Sequence, residues 1–360
     1  MLLRAIAFTA LAAMTASAQA QTVNLNDSDD AALENALQSL IEERSKSGAV
    51  NTRAGADLIV RYLRAEGYYT ARVITDQSED APIFQVTPGQ QFHFTALEVE
   101  AGGSREAATI ARDALPLSSG AAVRAEDVLE AETEGLRALR NSGWPDARLE
   151  DRTVTVDHAD ASARAVFVYD PGVESRFGDI NLQSARWRQS FIERLSPFET
   201  GEAASAAQMR VFESRLESLE SMSSAAVTLE EPTGLDGPQQ RAVLVSTSPS
   251  PRHVAEAGFS LSTSEGGGVS GAYKRRNLFG GDETLDVNLN LATVQSGLQV
   301  ELTAPHWRRL GQALTLEART QREETDAYDL VEAGVVTNAR KAIDTGVSIN
   351  GALIGTKRLY

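Results

Sequence analysis

The chain has 360 residues, with 50 acidic and 34 basic side chains, a net charge of −16 and no cysteine. The missing cysteine excludes disulfides, thiol catalysis and thiolate metal sites. The acidic balance argues against a general nucleic-acid binder, and the length allows two to four domains.

Met1-Leu2-Leu3-Arg4 is a short basic start, residues 5–14 are mostly apolar, and Ala18-Gln19-Ala20 fits a small-x-small cleavage site. Residues 1–20 are therefore expected to be a signal peptide, since the apolar run is too short to span a bilayer as a helix. An exported chain without a spanning helix is periplasmic, secreted or a membrane barrel.

From Thr22 onward the chain repeats itself. Leu63-Arg64-Ala65-Glu66-Gly67-Tyr68 is matched by Leu139-Arg140-Asn141-Ser142-Gly143-Trp144. In each, a leucine ends an amphipathic helix, a glycine suits the left-handed residue after it, and an aromatic turns into a strand. Pro88-Gly89 ahead of Phe94 is matched by Pro171-Gly172 ahead of Phe177, and Pro116-Leu117-x-x-Gly120 by Pro197-Phe198-x-x-Gly201.

The pattern predicts strand, helix, helix, strand, strand in each unit. The first unit is the least clear. In the second, strands are expected over 94–100, 147–156 and 164–169, with helices over 107–115 and 125–141. Val128, Leu129, Leu136 and Leu139 are expected to share one side of the long helix. In the third, strands are expected over 177–183, 225–230 and 241–246, with helices over 189–195 and 204–219. There Glu220-Ser221-Met222 stand where glycine and an aromatic would be. Ser248-Pro249-Ser250-Pro251 then marks a boundary.

From 252 on, about seven strands are expected: 254–264, 269–275, 283–292, 297–303, 313–320, 328–336 and 346–353. Ala255, Ala257, Phe259 and Leu261 alternate with Glu256, Gly258, Ser260 and Ser262. Such strands have one apolar and one polar face, suiting a membrane barrel, although they also build soluble sandwiches. The register of the strand bearing Leu330-Val331-Glu332-Ala333 is ambiguous. Turns at 275–277, 306–309 and 338–341 are expected to make one rim basic, with Trp307 at the interface. Gly266-Gly267-Gly268 reads as a flexible hairpin loop.

Asn277-Leu278-Phe279-Gly280-Gly281-x-Glu283, together with Gly67-Tyr68 and Gly143-Trp144, resembles the outer-membrane assembly-factor superfamily to which BamA and TamA belong. It is most similar to members with three POTRA domains before the barrel. The resemblance implies α+β POTRA repeats of β-α-α-β-β order, followed by an all-β, incomplete antiparallel transmembrane barrel. The expected domains are a signal peptide (1–20), POTRA units (21–90, 91–173 and 174–250) and the start of the barrel (251–360). The motif from Asn277 to Glu283 is the expected periplasmic turn after the second barrel strand. A single-chain bacterial barrel needs an even count of at least about eight strands, so the chain is expected to be truncated or part of an assembly.

The implied function is insertion of β-barrel proteins and autotransporters into the outer membrane. POTRA sheets would add client strands at their edges, and the first barrel strand would be a gate carried by Val254, Ala255, Ala257, Gly258, Phe259 and Leu261. Expected partners are unfolded outer-membrane clients, an inner-membrane-anchored periplasm-spanning subunit and outer-membrane lipid, with no nucleic acid and no cofactor. A two-partner-secretion transporter and a periplasmic interaction module are the alternatives. His93, His158, His253 and His306 are scattered, and the glutamate pairs 42–43, 230–231 and 323–324 read as solvated faces, so no catalytic or metal site is expected.

Overall fold

The structure, a computed structural model, describes residues 22–26, 30–46, 51–77, 82–234, 237–262, 266–325, 328–344 and 347–359. The expected signal peptide lies outside the described residues. The chain divides into two compact units, one running to 138 with 148–171, the other comprising 139–147 and 172 onward.

The first unit begins with β1 (Thr22–Leu25), α1 (Ala31–Lys46), α2 (Thr52–Ala65), β2 (Arg72–Gln77) and β3 (Pro82–Thr87). The sheet order is β1-β3-β2, with β1 parallel to β3 and β2 antiparallel to it. Leu33, Leu37 and Ile41 line one face of α1 at helical spacing. With Ile59 and Leu63 of α2 they bury Phe84 and Val86 of the central strand. Asn51 caps α2 by accepting the Ala54 N–H at 2.8 Å.

The pattern repeats in β4 (His93–Ala101), α3 (Arg105–Asp113), α4 (Ala125–Asn141), β5 (Arg148–Asp157) and β6 (Ser162–Asp170), with order β4-β6-β5. The buried stripe of α4 is Val128, Ala131, Gly135 and Leu139. Leu129, expected on that stripe, is exposed, because it lies one step of about 100° off the buried face. Gly135 lets the Tyr169 ring lie directly against the helix.

The second unit carries β7 (Ser175–Leu182), α5 (Gln189–Glu193), α6 (Ala206–Glu217), β8 (Met222–Leu229) and β9 (Gln239–Pro249), ordered β7-β9-β8. Its core stacks Phe177 on Phe198 at 3.8 Å between centroids, with Phe212 edge-on to Phe198. The paired motifs have matching geometry. Gly120 and Gly201 both have left-handed φ, and their N–H groups reach Phe94 O and Phe177 O at 2.7 Å each.

After β9 comes an antiparallel meander of seven strands, each paired with the next: β10 (His253–Ser262), β11 (Gly266–Arg276), β12 (Thr284–Ala292), β13 (Gln295–Ala304), β14 (Gln312–Thr325), β15 (Tyr328–Asp344) and β16 (Val347–Leu359). The register lines up Ala255, Tyr273, Val287, Val300, Ala318, Val335 and Gly355 across all seven strands. The next row is Glu256, Ala272, Asn288, Gln299, Arg319 and Gly334. One face is thus apolar and the other largely polar, as in a barrel with lipid outside and water inside.

Two expectations fail here. Gly266, Gly267 and Gly268 are the opening residues of β11, paired with Ser262, Leu261 and Ser260, rather than a loop. Residues 338–341 lie inside β15, paired with Ala352, Gly351, Asn350 and Ile349 on β16 and with Thr315 to Gln312 on β14. Pairing with β16 continues past them to Asp344, so they are strand residues and not the turn itself. The ambiguous register resolves with Glu332 opposite Gln321 on the polar row and Val331 opposite Arg322. Among the described residues, no helix is long and apolar enough to cross a membrane.

Candidate functional site at the joint between the third repeat and the sheet

Each repeat ends its second helix in a turn whose backbone is hydrogen-bonded to the next part of the chain. Gly67 (φ +92°) closes α2, where Tyr68 N–H returns to Leu63 O at 2.8 Å. Gly67 O then accepts the N–H of Phe92 at 3.0 Å, at the start of the second repeat. A side chain at Gly67 would meet Val123 O at 2.9 Å. Tyr68 packs half-buried against the first core.

Gly143 (φ +106°) does the same after α4. Trp144 N–H returns to Leu139 O at 3.1 Å, and Gly143 O accepts the N–H of Ser175 at 2.7 Å. Trp144 is buried. Arg241, only 5% exposed, braces this turn by donating to Asp146, to Ser175 Oγ at 3.2 Å and to Glu230 O.

The third joint uses different chemistry. Ser221 occupies the glycine's place, and its O accepts the N–H of Ser250 at 3.0 Å, at the approach to β10. The amides here are held by a side chain 61 residues away. Asp282 Oδ1 accepts Ser221 N–H at 2.7 Å and Oδ2 accepts Glu220 N–H at 3.1 Å. Trp187 Nε1 donates to Ser221 Oγ at 2.8 Å. The missing Gly-aromatic pair is therefore replaced by a carboxylate from the β11–β12 turn.

That turn is the segment from Asn277 to Glu283. Asn277 (1% exposed) donates from Nδ2 to Arg186 O at 2.8 Å and accepts Asp282 N–H on Oδ1 at 3.2 Å. Leu278 N–H reaches Glu283 O at 3.0 Å. Glu283 Oε2 accepts the N–H groups of Phe279 and Gly281 at 3.0 and 2.9 Å, and its Oε1 accepts from Arg188 at 3.0 Å. Gly280 (φ +87°) accepts Arg188 N–H on its O at 2.9 Å. A side chain on Gly281 would meet Arg188 and Glu283 at 2.7 Å each, displacing both partners of that ion pair. Asn277 and Asp282 belong to the residue types that tolerate left-handed φ, Asn277 bonding the Asp282 amide and Asp282 held there by Ser221 and Glu220. Phe279 projects outward.

Glu220 collects charge beside this turn. Its Oε1 accepts from Lys274 at 2.8 Å and Arg276 at 3.2 Å, and its Oε2 from Thr284 at 3.1 Å. Burial pushes its carboxyl up, but the hydrogen bonds and charge of Lys274, with Thr284 and Arg276, outweigh it and leave the pKa below the usual value. Asp282 is raised instead, because burial exceeds the stabilisation from Ser221 and the Glu220 amide. Among the described residues, no three His, Asp or Glu side chains group to hold a metal.

Val254, Ala255, Ala257, Gly258, Phe259 and Leu261 lie on β10, at an edge of the sheet. Phe259 and Leu261 stand out from it at 88% and 87% exposure. Asp282, Glu220, Arg186 and Arg188 were missed by sequence reasoning. Asp282 is the unread position inside the recognised motif, Glu220 stands in the segment noted for lacking glycine and an aromatic, and nothing local marks the two arginines.

No family model and no curated protein sequence matches the chain. Among solved structures, BamA from Haemophilus ducreyi lacking POTRA domains 1-3 superposes with a TM-score of 0.62 at 14% identity, covering 74% of this chain and 51% of that one. The chain has that fold. Its repeats are POTRA-like units and its meander is barrel sheet. CdiB from Escherichia coli aligns over 91% of this chain and 59% of its own, at 11% identity and TM-score 0.40. POTRA1-3 of Omp85 from Anabaena aligns over 64% and 94%, at 12% identity and TM-score 0.31. The chain spans about half the length of the BamA structure.

Proposed function

We propose that the chain is an outer-membrane assembly factor of the TamA type, with POTRA units over 21–90, 91–173 and 174–250 in the periplasm and barrel sheet from 251. It inserts β-barrel proteins and autotransporters without covalent chemistry. Its partners are unfolded clients, the inner-membrane-anchored periplasm-spanning subunit and outer-membrane lipid.

The observation that supports this reading is β10. It pairs with β11 alone among the described strands, leaving one line of backbone groups available at the sheet edge. Ala255, Ala257 and Gly258 give it little side-chain area with which to hold a neighbour. In lipid an unpaired edge is costly, so an incoming strand gains more by pairing there than it would in water. On the periplasmic side, β2 is an edge strand of the first repeat and exposes Ile74, which suits addition of an extended client segment.

The test places single cysteines along 254–261 of the full-length protein and in the terminal strand of a client. Crosslinks that recur at alternate positions of β10 are expected, given the two-residue period of a strand. A complete lack of client crosslinks refutes the gate.

A further inference from the structure

We propose that a recess at the turn end of the sheet's apolar face is a binding site for the headgroup of an anionic phospholipid. The recess encloses about 390 Å³ beside the joint. Its floor includes Leu302, Ala304 and Leu314, and Leu302 lies in line with Leu285 and Leu316 on the apolar face. Its walls carry Arg188 and Arg194 from around α5, and Trp307 from the β13–β14 turn.

The charge at this recess is one-sided, against the grain of a chain with net charge −16. The one carboxylate lining it is Glu283, already engaged by Arg188 and two backbone amides. Arg194, in the wall, lies over the Phe191 ring at 5.8 Å, and Arg308, next to the recess and not lining it, lies over the ring of the lining Trp307 at 4.4 Å. Both arginines are exposed, and neither forms an ion pair among the described residues. A guanidinium over a ring face and without a carboxylate partner has its N–H fork to offer a phosphate in two bonds.

The floor identifies the occupant. Apolar side chains continuous with the sheet's outward face suit acyl chains, while arginines and a tryptophan at the rim suit the phosphate level of a leaflet. A free anion would use the arginines and leave the apolar floor unfilled. This inference rests on the outer-membrane reading of the sheet.

The experiment uses the full chain in detergent, titrated with short-chain phosphatidylglycerol or phosphatidylcholine and followed by native mass spectrometry. Phosphatidylglycerol is expected to bind at least about tenfold more tightly, and Arg194→Gln/Arg308→Gln to weaken it about 30-fold with unchanged thermal unfolding. If the double variant loses its fold, Arg308→Gln alone, on the exposed turn, carries the test with an expected loss of about fivefold.

Equal affinity for the two lipids, or displacement of phosphatidylglycerol by inorganic phosphate at similar concentration, overturns the site. Flotation with phosphatidylcholine vesicles separates the two readings. A chain that floats yet shows no headgroup preference loses only this site. A chain that does not float at all removes the outer-membrane reading and the site with it.

Discussion

Asp282→Ala tests the third joint most directly. The carboxylate holds two backbone amides, at 2.7 Å to Ser221 and 3.1 Å to Glu220, and Ser221 is fully buried. A buried amide left without an acceptor costs about 1–3 kcal/mol. The Ser221 amide should approach the top of that range and the Glu220 amide the bottom, since Glu220 is exposed. Alanine at φ +65° adds about 1 kcal/mol. Against this, removing a carboxylate whose pKa burial has raised returns part of its desolvation cost. The net expectation is about 2–4 kcal/mol, felt at the joint. Amide hydrogen exchange on a peptide spanning 218–224 should then accelerate about 30- to 1000-fold, unless global unfolding sets the limit first. Asp282→Asn keeps one acceptor and the left-handed tolerance, so its effect should be about half in free energy. Unchanged exchange in Asp282→Ala, or a larger effect from asparagine than from alanine, would refute the reasoning.

Other changes have equally definite outcomes. Gly135→Ala should lower stability by about 1–2 kcal/mol, because the new methyl meets the Tyr169 hydroxyl and Leu115 and overpacking exceeds the helix-propensity gain; denaturant titration reads it. Gly67→Ala should cost about 2–3 kcal/mol, from left-handed strain and the approach to Val123 O, and should speed exchange at the Phe92 amide. Burial, and then Glu132, pushes Tyr169 up to about 12. Its folded pKa lies above the unfolded value, so its contribution is whole below the usual tyrosine range and is lost as pH rises toward 12, which alkaline melts of the Tyr169→Phe variant should no longer show. Glu220 runs the other way. Its folded pKa is lowered, so its contribution is present above the usual carboxylate range and fades as pH falls through the depressed value, and Glu220→Gln should flatten that acid loss at the joint.

The regular parts of this fold were legible because they repeat. Helical spacing marked α4, whose expected span of 125–141 matches the observed Ala125–Asn141. Period-2 alternation marked most strands of the meander, the strand bearing Leu330 to Ala333 excepted, and the expected spans overlap all seven. What failed was local. Leu129 was placed on the buried face because apolarity alone cannot distinguish neighbours at the margin of a stripe. The three glycines of β11 look like a loop in one dimension, yet pair as strand because their neighbours across the sheet supply the register. Residues 338–341 look like a turn for the same reason, since basic side chains mark rims and strand interiors alike. At the candidate joint, the turn motif was visible, but its contacts were not. Asp282 lies 62 and 61 residues from the two amides it holds, and sequence distance of that kind leaves no periodic trace.

The third repeat also cannot finish itself. In the first two joints a glycine carbonyl waits for an amide of the next repeat, so closure is backbone to backbone. In the third, Ser221 O likewise takes the Ser250 amide, but the turn's own amides at Glu220 and Ser221 find their acceptor only when the hairpin of β11 and β12 delivers Asp282. The first two turns therefore need only backbone from the next repeat, whereas the third also needs a side chain from the β11–β12 hairpin. The last turn of the third repeat is thereby made to report on the sheet: a repeat whose final turn is protected from exchange and cleavage is one whose first hairpin is already built.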